Sequence, residues 1–339
     1  MQAIIITSRP QKGDLPNEVK LITKIKPVPC KNEVLIKISC ATITIDDINM
    51  QEGSALGGIP IGPTASIEKP VIPGIELSGI VEDIGSDISK FKVGDAVFGS
   101  IGLPIKREGP WAEYCCIKEE FLFQKPNYLS FQEAAALAGS GIVACSAIVQ
   151  GCKLQKNQKI LIIGASGGVG TLAIQMAKNC GAYVIATCSE KNKSLVKSLG
   201  AEKVFDYAST SLEEDLIKEN CDNLDFVLDL VGGKEIEKLG IRLLKKSGKF
   251  ITSVGPIKYL GDNKLGGIGI LKLLSYIGWR MFSYSFKGPK YDFVSPTKKT
   301  YPFFKQILET NSIKPIIDKE INFTQKEIQE AINYVRTHR

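Results

Sequence analysis

Short apolar runs rich in β-branched residues follow one another through the first 123 residues. The runs QAIIITS, EVLIKISCA, GIELSGIVEDIG and AEYCCI are separated by glycine, proline, aspartate and asparagine, which favour turns. This pattern predicts a domain built mainly of strands. A long polar stretch at 51–70 interrupts the pattern, and we expect it to be a loop of the kind that often lines a functional site.

From about residue 124 helical periods alternate with fully apolar strands. Ser130 and Glu133 form the capping-box pattern at the start of a predicted helix. The strands KILIIG, AYVIATC, KVFDY, DFVLDLVGG and KFITSVG then alternate with helical segments. Continuous apolar strands between helices predict a parallel sheet covered on both faces, and hence an α/β fold. A final strand, IKPIIDKEI, and a final helix, TQKEIQEAINYVRTHR, are predicted at the end.

The strongest chemical signal is the segment KILIIGASGGVG, residues 159–170. An apolar strand leads into a glycine-rich turn that opens a helix, as in the dinucleotide-binding fingerprint. Gly167 would let the backbone approach a pyrophosphate, and Gly170 would let the helix pack close to the strand. The free N–H groups at the helix start would bind the phosphates. Ala165 stands where the fingerprint has its first glycine.

The next strand carries the signal for the choice between NADH and NADPH. A site that selects NADH has Asp or Glu at the tip of this strand to bond the ribose 2′-hydroxyl. Here the tip is Cys188 followed by Ser189, with Lys191 and Lys193 close behind. A hydroxyl and ammonium groups suit a 2′-phosphate, so we expect NADPH. Glu190 is the counter-argument, because a shift of one residue would place it on the ribose.

Composition narrows the chemistry further. The chain has 339 residues, of which 44% are hydrophobic and 23% charged, as expected for a globular protein of about two domains. Its nine cysteines form no CxxC pair, so we expect reduced thiols and neither a disulfide framework nor a structural zinc site. The single histidine, His338, argues against a histidine-based triad or a multi-histidine metal site.

Positive charge is concentrated in one part of the chain. The net charge is +7, and residues 256–305 alone carry nine Lys/Arg and two Asp. Within this part, residues 265–286 are apolar but include Lys272 and Arg280, which excludes a membrane span. Read as a helix, one face holds Ile270, Leu273, Leu274, Ile277 and Met281, and the other holds Lys272, Tyr276, Trp279 and Ser283.

The role of residues 265–286 remains open at this point. The helix could pack over a site or at a dimer contact. It could also form an apolar lid over a prenyl-quinone tail or a peripheral contact with anionic lipid. Nucleic-acid binding is not expected, since no RNA-binding signature is present.

Targeting signals do not decide the location. No uncharged apolar run is expected to reach the ~18 residues that a membrane span needs. The opening MQAIIITSRP is predicted to be a strand, without the features of a secretory signal or an Arg-rich presequence. We expect a cytoplasmic protein, with a mitochondrial protein after processing as the alternative.

The glycine-rich turn, together with KPVIPGIELSGIVEDIG, FKVGDAVFGS and LGAEKVFDY, resembles the medium-chain dehydrogenase/reductase superfamily. The resemblance is strongest to the zinc-free quinone oxidoreductase branch, in particular its reticulon-4-interacting protein 1 type. It implies a GroES-like β-rich domain plus a Rossmann doubly wound parallel sheet. The implied boundaries are residues 1–124 for the first part of the catalytic domain, 125–287 for the NADPH-binding domain and 288–339 for the return to the catalytic domain.

The same resemblance sets expectations for metal and catalysis. Zinc alcohol dehydrogenases carry a G-H-E segment where this chain reads P-G-I-E, so Ile75 replaces a ligand and no metal is expected. The quinone oxidoreductase pattern N-P-x-D falls on Thr44–Asp47, with the Asp kept as Asp47 and the Asn replaced by Thr44. Thr44 and Asp47 are therefore the catalytic candidates, while Tyr276 or water remain alternative proton donors.

Cofactor contacts are also implied by the resemblance. They fall into three groups, at the pyrophosphate, at the 2′-phosphate, and along the ribose and nicotinamide. The implied residues are Ser166, Gly167, Gly168, Val169 and Gly170; then Ser189, Lys193 and Tyr207; then Leu230, Ser253, Val254 and His338.

We therefore expect an NADPH-dependent, zinc-independent reductase. It would transfer a hydride from the nicotinamide to a small-molecule quinone or an activated α,β-unsaturated carbonyl, and the resemblance implies a homodimer. The alternative is a module that binds NADPH with little turnover and serves assembly or sensing, with a possible contact to a membrane.

Overall fold

The computed structural model describes residues 1–53, 63–102, 107–258, 265–283 and 288–337. Two compact units divide the chain. The first is made mainly of Met1–Gly139 and Ile316–Arg339, and the second mainly of Ser140–Leu260 and Gly266–Pro315. The candidate His338 lies outside the described residues.

Strands and helices are numbered along the chain. The strands are β1 Gln2–Ile5, β2 Lys20–Thr23, β3 Glu33–Ala41, β4 Glu76–Ile84, β5 Ala96–Ser100, β6 Tyr114–Lys118, β7 Leu122–Gln124, β8 Lys159–Ile163, β9 Tyr183–Cys188, β10 Lys203–Asp206, β11 Leu224–Asp229, β12 Leu244–Thr252 and β13 Lys290–Phe293. The helices are α1 Leu15–Glu18, α2 Ile45–Gln51, α3 Phe131–Cys145, α4 Gly168–Asn179, α5 Lys193–Ser198, α6 Leu212–Lys218, α7 Lys234–Leu243, α8 Gly267–Ser283, α9 Tyr301–Glu309 and α10 Gln325–Val335.

The first unit is β-rich, as the sequence predicts. Five of its strands form an antiparallel sheet in the order β6-β3-β4-β5-β7, and β1 pairs with β2. Alternate residues of the long strands point into a core that includes Val34, Ile36, Leu77 and Val97. Strands with period-two alternation bury one face in this way because successive side chains point to opposite sides.

The end of the chain packs onto its beginning within the first unit. Ile328 and Ile332 of α10 join a core with Ile4 and Trp111. Arg336 forms an ion pair with the buried carboxylate of Glu52. Burying a carboxylate is costly unless a cation pairs with it, so this contact ties the end of α10 to the segment just after α2.

The second unit contains the predicted parallel sheet. Its strand order is β10-β9-β8-β11-β12-β13, and every neighbouring pair is parallel. In chain order this is 3-2-1-4-5-6, the order of a doubly wound dinucleotide-binding sheet. The order reverses between β8 and β11, so the turn after β8 lies at the point where such sheets bind ligands. The predicted α/β fold is confirmed.

The predicted start of α3 is also confirmed. Ser130 N donates to Glu133 Oε2 at 2.8 Å, and Glu133 N donates to Ser130 Oγ at 3.1 Å. These reciprocal bonds satisfy donors that the first helical turn leaves free. The helix continues into a wider π-helical turn, Ser146–Cys152.

The expectation that no apolar segment reaches the length of a membrane span is wrong for residues 131–152. By length and composition alone, this stretch could cross a membrane, and the mean hydropathy of its most apolar part is 1.6. However, 67% of that window is buried inside the protein. Burial accounts for the apolar composition, because a helix surrounded by protein is hydrophobic on all sides.

The prediction of a last strand over IKPIIDKEI is wrong. The structure shows no regular element over residues 313–321, which belong to the described part of the chain. Lys314 N donates to the side-chain Oε1 of Gln175 at 2.9 Å rather than to a neighbouring strand. Pro315, which has no N–H, follows directly and cannot donate to a ladder.

The predicted domain boundaries of 124/125 and 287/288 stay predictions. The compact units change mainly at Gly139/Ser140 and at Pro315/Ile316. On the C-terminal side the reason is β13, which pairs with β12 through Lys249↔Lys290 to Thr252↔Phe293 and so extends the parallel sheet. The apolar pattern alone did not show that this short strand joins the sheet edge.

Candidate functional site

Two positions of the glycine-rich turn after β8 require glycine, Gly164 for its backbone conformation and Gly170 for its close contact with backbone. Gly164 has a φ of +83°, a conformation that side chains with a Cβ rarely adopt. A Cβ at Gly170 would lie 2.4 Å from the carbonyl oxygen of Gly164 and 2.7 Å from that of Ala165. Because only glycine fits there, α4 can begin directly against the end of β8.

The turn leaves open space at its tip. A Cβ added at Gly167 would meet nothing nearer than the Gly164 oxygen at 3.5 Å. Gly167 and Gly168 are exposed, while Ser166 and Val169 are half-buried. Gly167 is the N-cap of α4, and no side chain caps this twelve-residue helix. Its first N–H groups therefore remain available to an anion, so these residues fit the phosphates of a dinucleotide.

Strands β9 and β10 bring the predicted 2′-phosphate residues to one corner of the sheet. Tyr207 N donates to the carbonyl oxygen of Cys188 at 3.1 Å, which places Tyr207 beside the turn that starts at Ser189. Lys193 Nζ forms an ion pair with Glu190 Oε2 at 2.6 Å. The corner therefore holds hydroxyl groups, an ammonium group and a carboxylate that partly neutralises that ammonium group.

Two buried polar residues that the sequence analysis missed organise the neighbouring loops. Asp229 ends β11 and accepts from Val231 N at 3.0 Å, Gly232 N at 2.8 Å and Thr252 Oγ1 at 3.0 Å. Thr252 ends β12, and its hydroxyl accepts from Gly255 N at 2.9 Å. The loops arranged in this way carry three predicted cofactor residues, Leu230, Ser253 and Val254. In the sequence, the signal for these two residues was a polar side chain, Asp229 or Thr252, at the end of an apolar strand.

In the first unit, Thr44 and Asp47 form a capping box at the start of α2. Asp47 Oδ2 accepts from Thr44 N at 2.7 Å and from Thr44 Oγ1 at 2.8 Å. Thr44 Oγ1 accepts from Asp47 N at 3.3 Å. The two catalytic candidates thus lie together, but Asp47 is completely buried and its Oδ1 has no hydrogen-bond partner.

A second buried carboxyl, Glu76 of β4, interacts electrostatically with Asp47. Glu76 Oε2 accepts from Thr42 Oγ1 at 2.9 Å. Burial raises the pKa of Glu76 to about 8, and the nearby Asp47 charge adds to the rise. Burial likewise raises the pKa of Asp47 to about 7, against the hydrogen bonds from Thr44, and Asp46 contributes further repulsion. Like charges at close range in a dry site favour the protonated forms.

Gly139 of α3 makes room for the carboxyl of Glu76. A Cβ at position 139 would lie 1.8 Å from Glu76 Oε1. The helix therefore approaches the carboxyl more closely than any other residue type would allow. The sequence analysis missed Glu76, although an acidic residue inside the apolar strand GIELSGIV was a visible signal.

The donor set around this pair does not fit a catalytic zinc ion. Ile75 offers no ligand atom, and its neighbour Glu76 is bonded to Thr42. Within the described residues, no group of three or more His, Cys, Asp or Glu is arranged to hold a metal ion.

Comparisons with known proteins agree with this architecture. Residues 30–127 match the alcohol dehydrogenase GroES-like domain, and residues 168–265 match the zinc-binding dehydrogenase domain. The NAD(P)H oxidoreductase RTN4IP1, mitochondrial, of Danio rerio is 32% identical over 336 residues, covering 94% of this chain and 85% of that protein. The 2-methylene-furan-3-one reductase of Solanum lycopersicum is 30% identical, covering 91% and 70%.

A solved structure gives the same result. The quinone oxidoreductase from Coxiella burnetii superposes with a TM-score of 0.72 at 26% identity, over 99% of this chain and 96% of that one. The chain belongs to the medium-chain dehydrogenase/reductase family. Membership makes it an oxidoreductase that uses a nicotinamide cofactor, NADH or NADPH. The family resemblance inferred from the glycine-rich turn is confirmed.

The carboxyl pair predicts a pH dependence of stability. Both pKa values are raised in the folded state. At a pH between the ordinary carboxyl pKa and these raised values, Asp47 and Glu76 are protonated in the folded protein but ionised in the unfolded chain. Stability from this source is complete at low pH and is lost as pH rises through about 7 to 8. We expect the free energy of unfolding, measured with urea, to fall by several kcal/mol between pH 5 and pH 9.

Glu76→Gln keeps an acceptor for Thr42 and removes one of the two charges, so its stability should depend much less on pH. Glu214→Gln, at an exposed carboxyl of α6, is the matched control and should follow the wild type. A Glu76→Gln protein whose pH profile parallels that of the wild type would contradict the assignment.

Proposed function

We propose that this protein is an NADPH-dependent, zinc-independent reductase that transfers a hydride to a quinone or to an activated α,β-unsaturated carbonyl. The main support for this proposal is the open turn at Gly167, which lies where the strand order of the parallel sheet reverses. Support for the acceptor comes from the relatives, since one is a quinone oxidoreductase by name and another reduces a conjugated methylene ketone by name.

Cofactor binding is assigned to residues of the second unit. The backbone at Ser166, Gly167, Gly168, Val169 and Gly170 would hold the pyrophosphate, because the uncapped start of α4 offers N–H groups to an anion. The loops fixed by Asp229 and Thr252 present Leu230, Ser253 and Val254 to the ribose and nicotinamide. When bound, the cofactor supplies the hydride.

Selection of NADPH is assigned to Ser189, Lys193 and Tyr207. The tip of β9 carries the Ser189 hydroxyl where a carboxylate would bond the 2′-hydroxyl of NADH. Lys193 provides a positive charge for a phosphate, and its pair with Glu190 holds the ammonium group at this corner. The exposed ring of Tyr207 adds a hydroxyl group and a flat surface.

Proton supply is assigned to Thr44, with Asp47 as its positioning residue. The Thr44 hydroxyl proton points to Asp47 Oδ2 in this structure. Because the pKa of Asp47 is raised to about 7, its carboxyl can hold a proton near neutral pH. A protonated Asp47 would donate to the Thr44 oxygen and turn the Thr44 proton toward an acceptor oxygen. Tyr276 is less suited, since its hydroxyl donates to the carboxylate of Glu237 at 3.1 Å.

Location and assembly complete the proposal. The vertebrate relative is mitochondrial by name, which supports the mitochondrial alternative over the cytoplasmic expectation. The homodimer implied by the family resemblance stays a prediction. The absence of zinc from the reaction is proposed from the chemistry of Ile75 and its neighbours.

Two neighbouring glycines test the cofactor site separately from the fold. Gly167→Ala should leave the melting temperature nearly unchanged, because its Cβ meets open space, but should weaken NADPH binding by at least about tenfold. Gly170→Ala should lower the melting temperature, because its Cβ overlaps the Gly164 carbonyl. Calorimetric titration with NADPH measures the first effect. Wild-type affinity in Gly167→Ala would exclude the turn as the phosphate site.

Cofactor choice is tested at the β9–β10 corner. Ser189→Asp combined with Lys193→Ala should weaken NADPH binding by about a hundredfold, because a charged hydrogen bond is lost and a carboxylate repels the phosphate. The affinity for NADH should change by less than about threefold. Lys197→Ala, one turn further along α5, is the matched control and should bind both cofactors normally. Equal losses for NADPH and NADH would disprove the 2′-phosphate assignment.

Turnover is tested by following the nicotinamide absorbance with a panel of quinones and enones. We expect NADPH consumption by the wild type, a fall in kcat/KM of about a hundredfold for Thr44→Val, and near-normal activity for Thr44→Ser. Melting temperatures control for the capping role of Thr44. NADPH binding without consumption of any acceptor would instead favour the binding module with little turnover.

A further inference from the structure

Helix α8 presents a row of large apolar side chains to solvent. The row, here called the outer face, consists of Ile268, Leu271, Leu274, Trp279 and Phe282, whose exposed fractions lie between 59% and 74%. The rings of Trp279 and Phe282 lie against each other, with centroids 6.5 Å apart. At 3.6 residues per turn the outer face spans an arc of about 140°.

The sequence-based assignment of the helix faces is partly wrong. Leu274 shares a predicted face with Leu273 and Ile277 but is exposed. Tyr276 shares the other predicted face with Trp279 but is half-buried. The side chains of Met281 and Ser283 lie outside the described residues. Leu273 is buried and Ile277 half-buried, so these two members of one predicted face do lie together on the inner side.

An ionic cluster on the inner side fixes this orientation. Arg280 forms an ion pair with Glu237 of α7, whose side chain is only 3% exposed. The Tyr276 hydroxyl donates to the same carboxylate at 3.1 Å. If the helix rolled to bury the outer face, the Glu237 charge would lose its partners in a buried position, at a large energetic cost. The outer face therefore stays outward.

The charges around the outer face are basic. No acidic residue occurs between 265 and 283, and the exposed Lys272 lies just beyond one edge of the arc. On the same edge, Lys234 Nζ lies 5.4 Å from the centre of the Tyr276 ring. On β13, the strand that packs against the helix, Lys290 is exposed, whereas the half-buried Asp292 is paired with Lys249 at 3.4 Å. Arg280 does not contribute, since Glu237 neutralises it.

This charge pattern distinguishes between two occupants of the outer face. Two copies that met face to face would bring their basic edges together, which like-charge repulsion disfavours. An anionic lipid surface complements the lysines and accepts exposed Trp, Phe and Leu side chains at the level of its headgroups.

We propose that the outer face of α8 is a membrane-contact site that lies in the headgroup layer of an anionic bilayer, with the helix parallel to the bilayer plane. The tryptophans make this measurable. Trp279 is 64% exposed and Trp111 only 3%, so a blue shift of the emission on adding vesicles reports burial of Trp279. The test needs neither cofactor nor turnover, so its outcome is independent of the proposed reductase activity.

The experiment compares vesicles of phosphatidylcholine with vesicles containing about a third phosphatidylglycerol. We expect a blue shift and co-sedimentation with the anionic vesicles only. Lys272→Glu should weaken this binding by about thirtyfold, since each basic residue near the surface contributes about 1 kcal/mol and the substitution reverses one charge. Leu271→Ser with Phe282→Ser should weaken it by more than about a hundredfold through lost apolar burial.

Ile25→Ser with Val28→Ser is the matched control, because these apolar side chains of the first unit are 91% and 82% exposed. The control should bind vesicles like the wild type. Absence of a blue shift with anionic vesicles, or equal binding to both vesicle types, would overturn the proposal. A dimer that Leu271→Ser with Phe282→Ser converts to a monomer, without vesicle binding by the wild type, would assign the face to a second copy instead.

Discussion

The second unit depends on the close approach of a helix to the end of a strand. A Cβ at Gly170 would overlap the carbonyl oxygens of Gly164 and Ala165, so only glycine fits there. This contact lets α4 begin at once after β8, with its uncapped N–H groups at the strand-order reversal. The same backbone geometry that permits tight packing therefore creates a place for phosphates, because the N–H groups have no side-chain acceptor.

Buried polar side chains at strand ends arrange the rest of the candidate cofactor site. Asp229 and Thr252 end adjacent parallel strands, in register with each other. Together they accept hydrogen bonds from backbone groups of both following loops. A buried carboxylate must be satisfied by donors, so the loops are held in one arrangement around it. Burial accordingly raises the pKa of Asp229 against these hydrogen bonds.

The first unit contains two buried carboxyl groups, Asp47 and Glu76, whose pKa values are both raised. Asp47 and Glu76 are buried with hydroxyl partners, Thr44 and Thr42, and they repel each other and the nearby Asp46. Ile75, directly before Glu76, brings no charge to the pair. Burial and the repulsion between like charges favour the protonated forms of both carboxyls, which is why both pKa values are raised.

The sequence by itself determined the local features of this protein. The glycine-rich turn, the alternation of apolar strands and helices, and the capping box at Ser130 follow from short-range steric and hydrogen-bonding rules, so they were readable without coordinates. The identity of the residues at the tip of β9 was equally visible. These features established the fold class and the location of the candidate cofactor site.

Only the tertiary structure decided which side chains meet. It joined β13 to the parallel sheet, left 313–321 without a ladder, and turned Leu274 outward because the Arg280–Glu237 pair fixes the helix. It also brought Glu76 into the same buried region as Asp47, although 28 residues separate them along the chain. Pairings between distant residues depend on long-range packing, and periodicity within a short window carries no information about them.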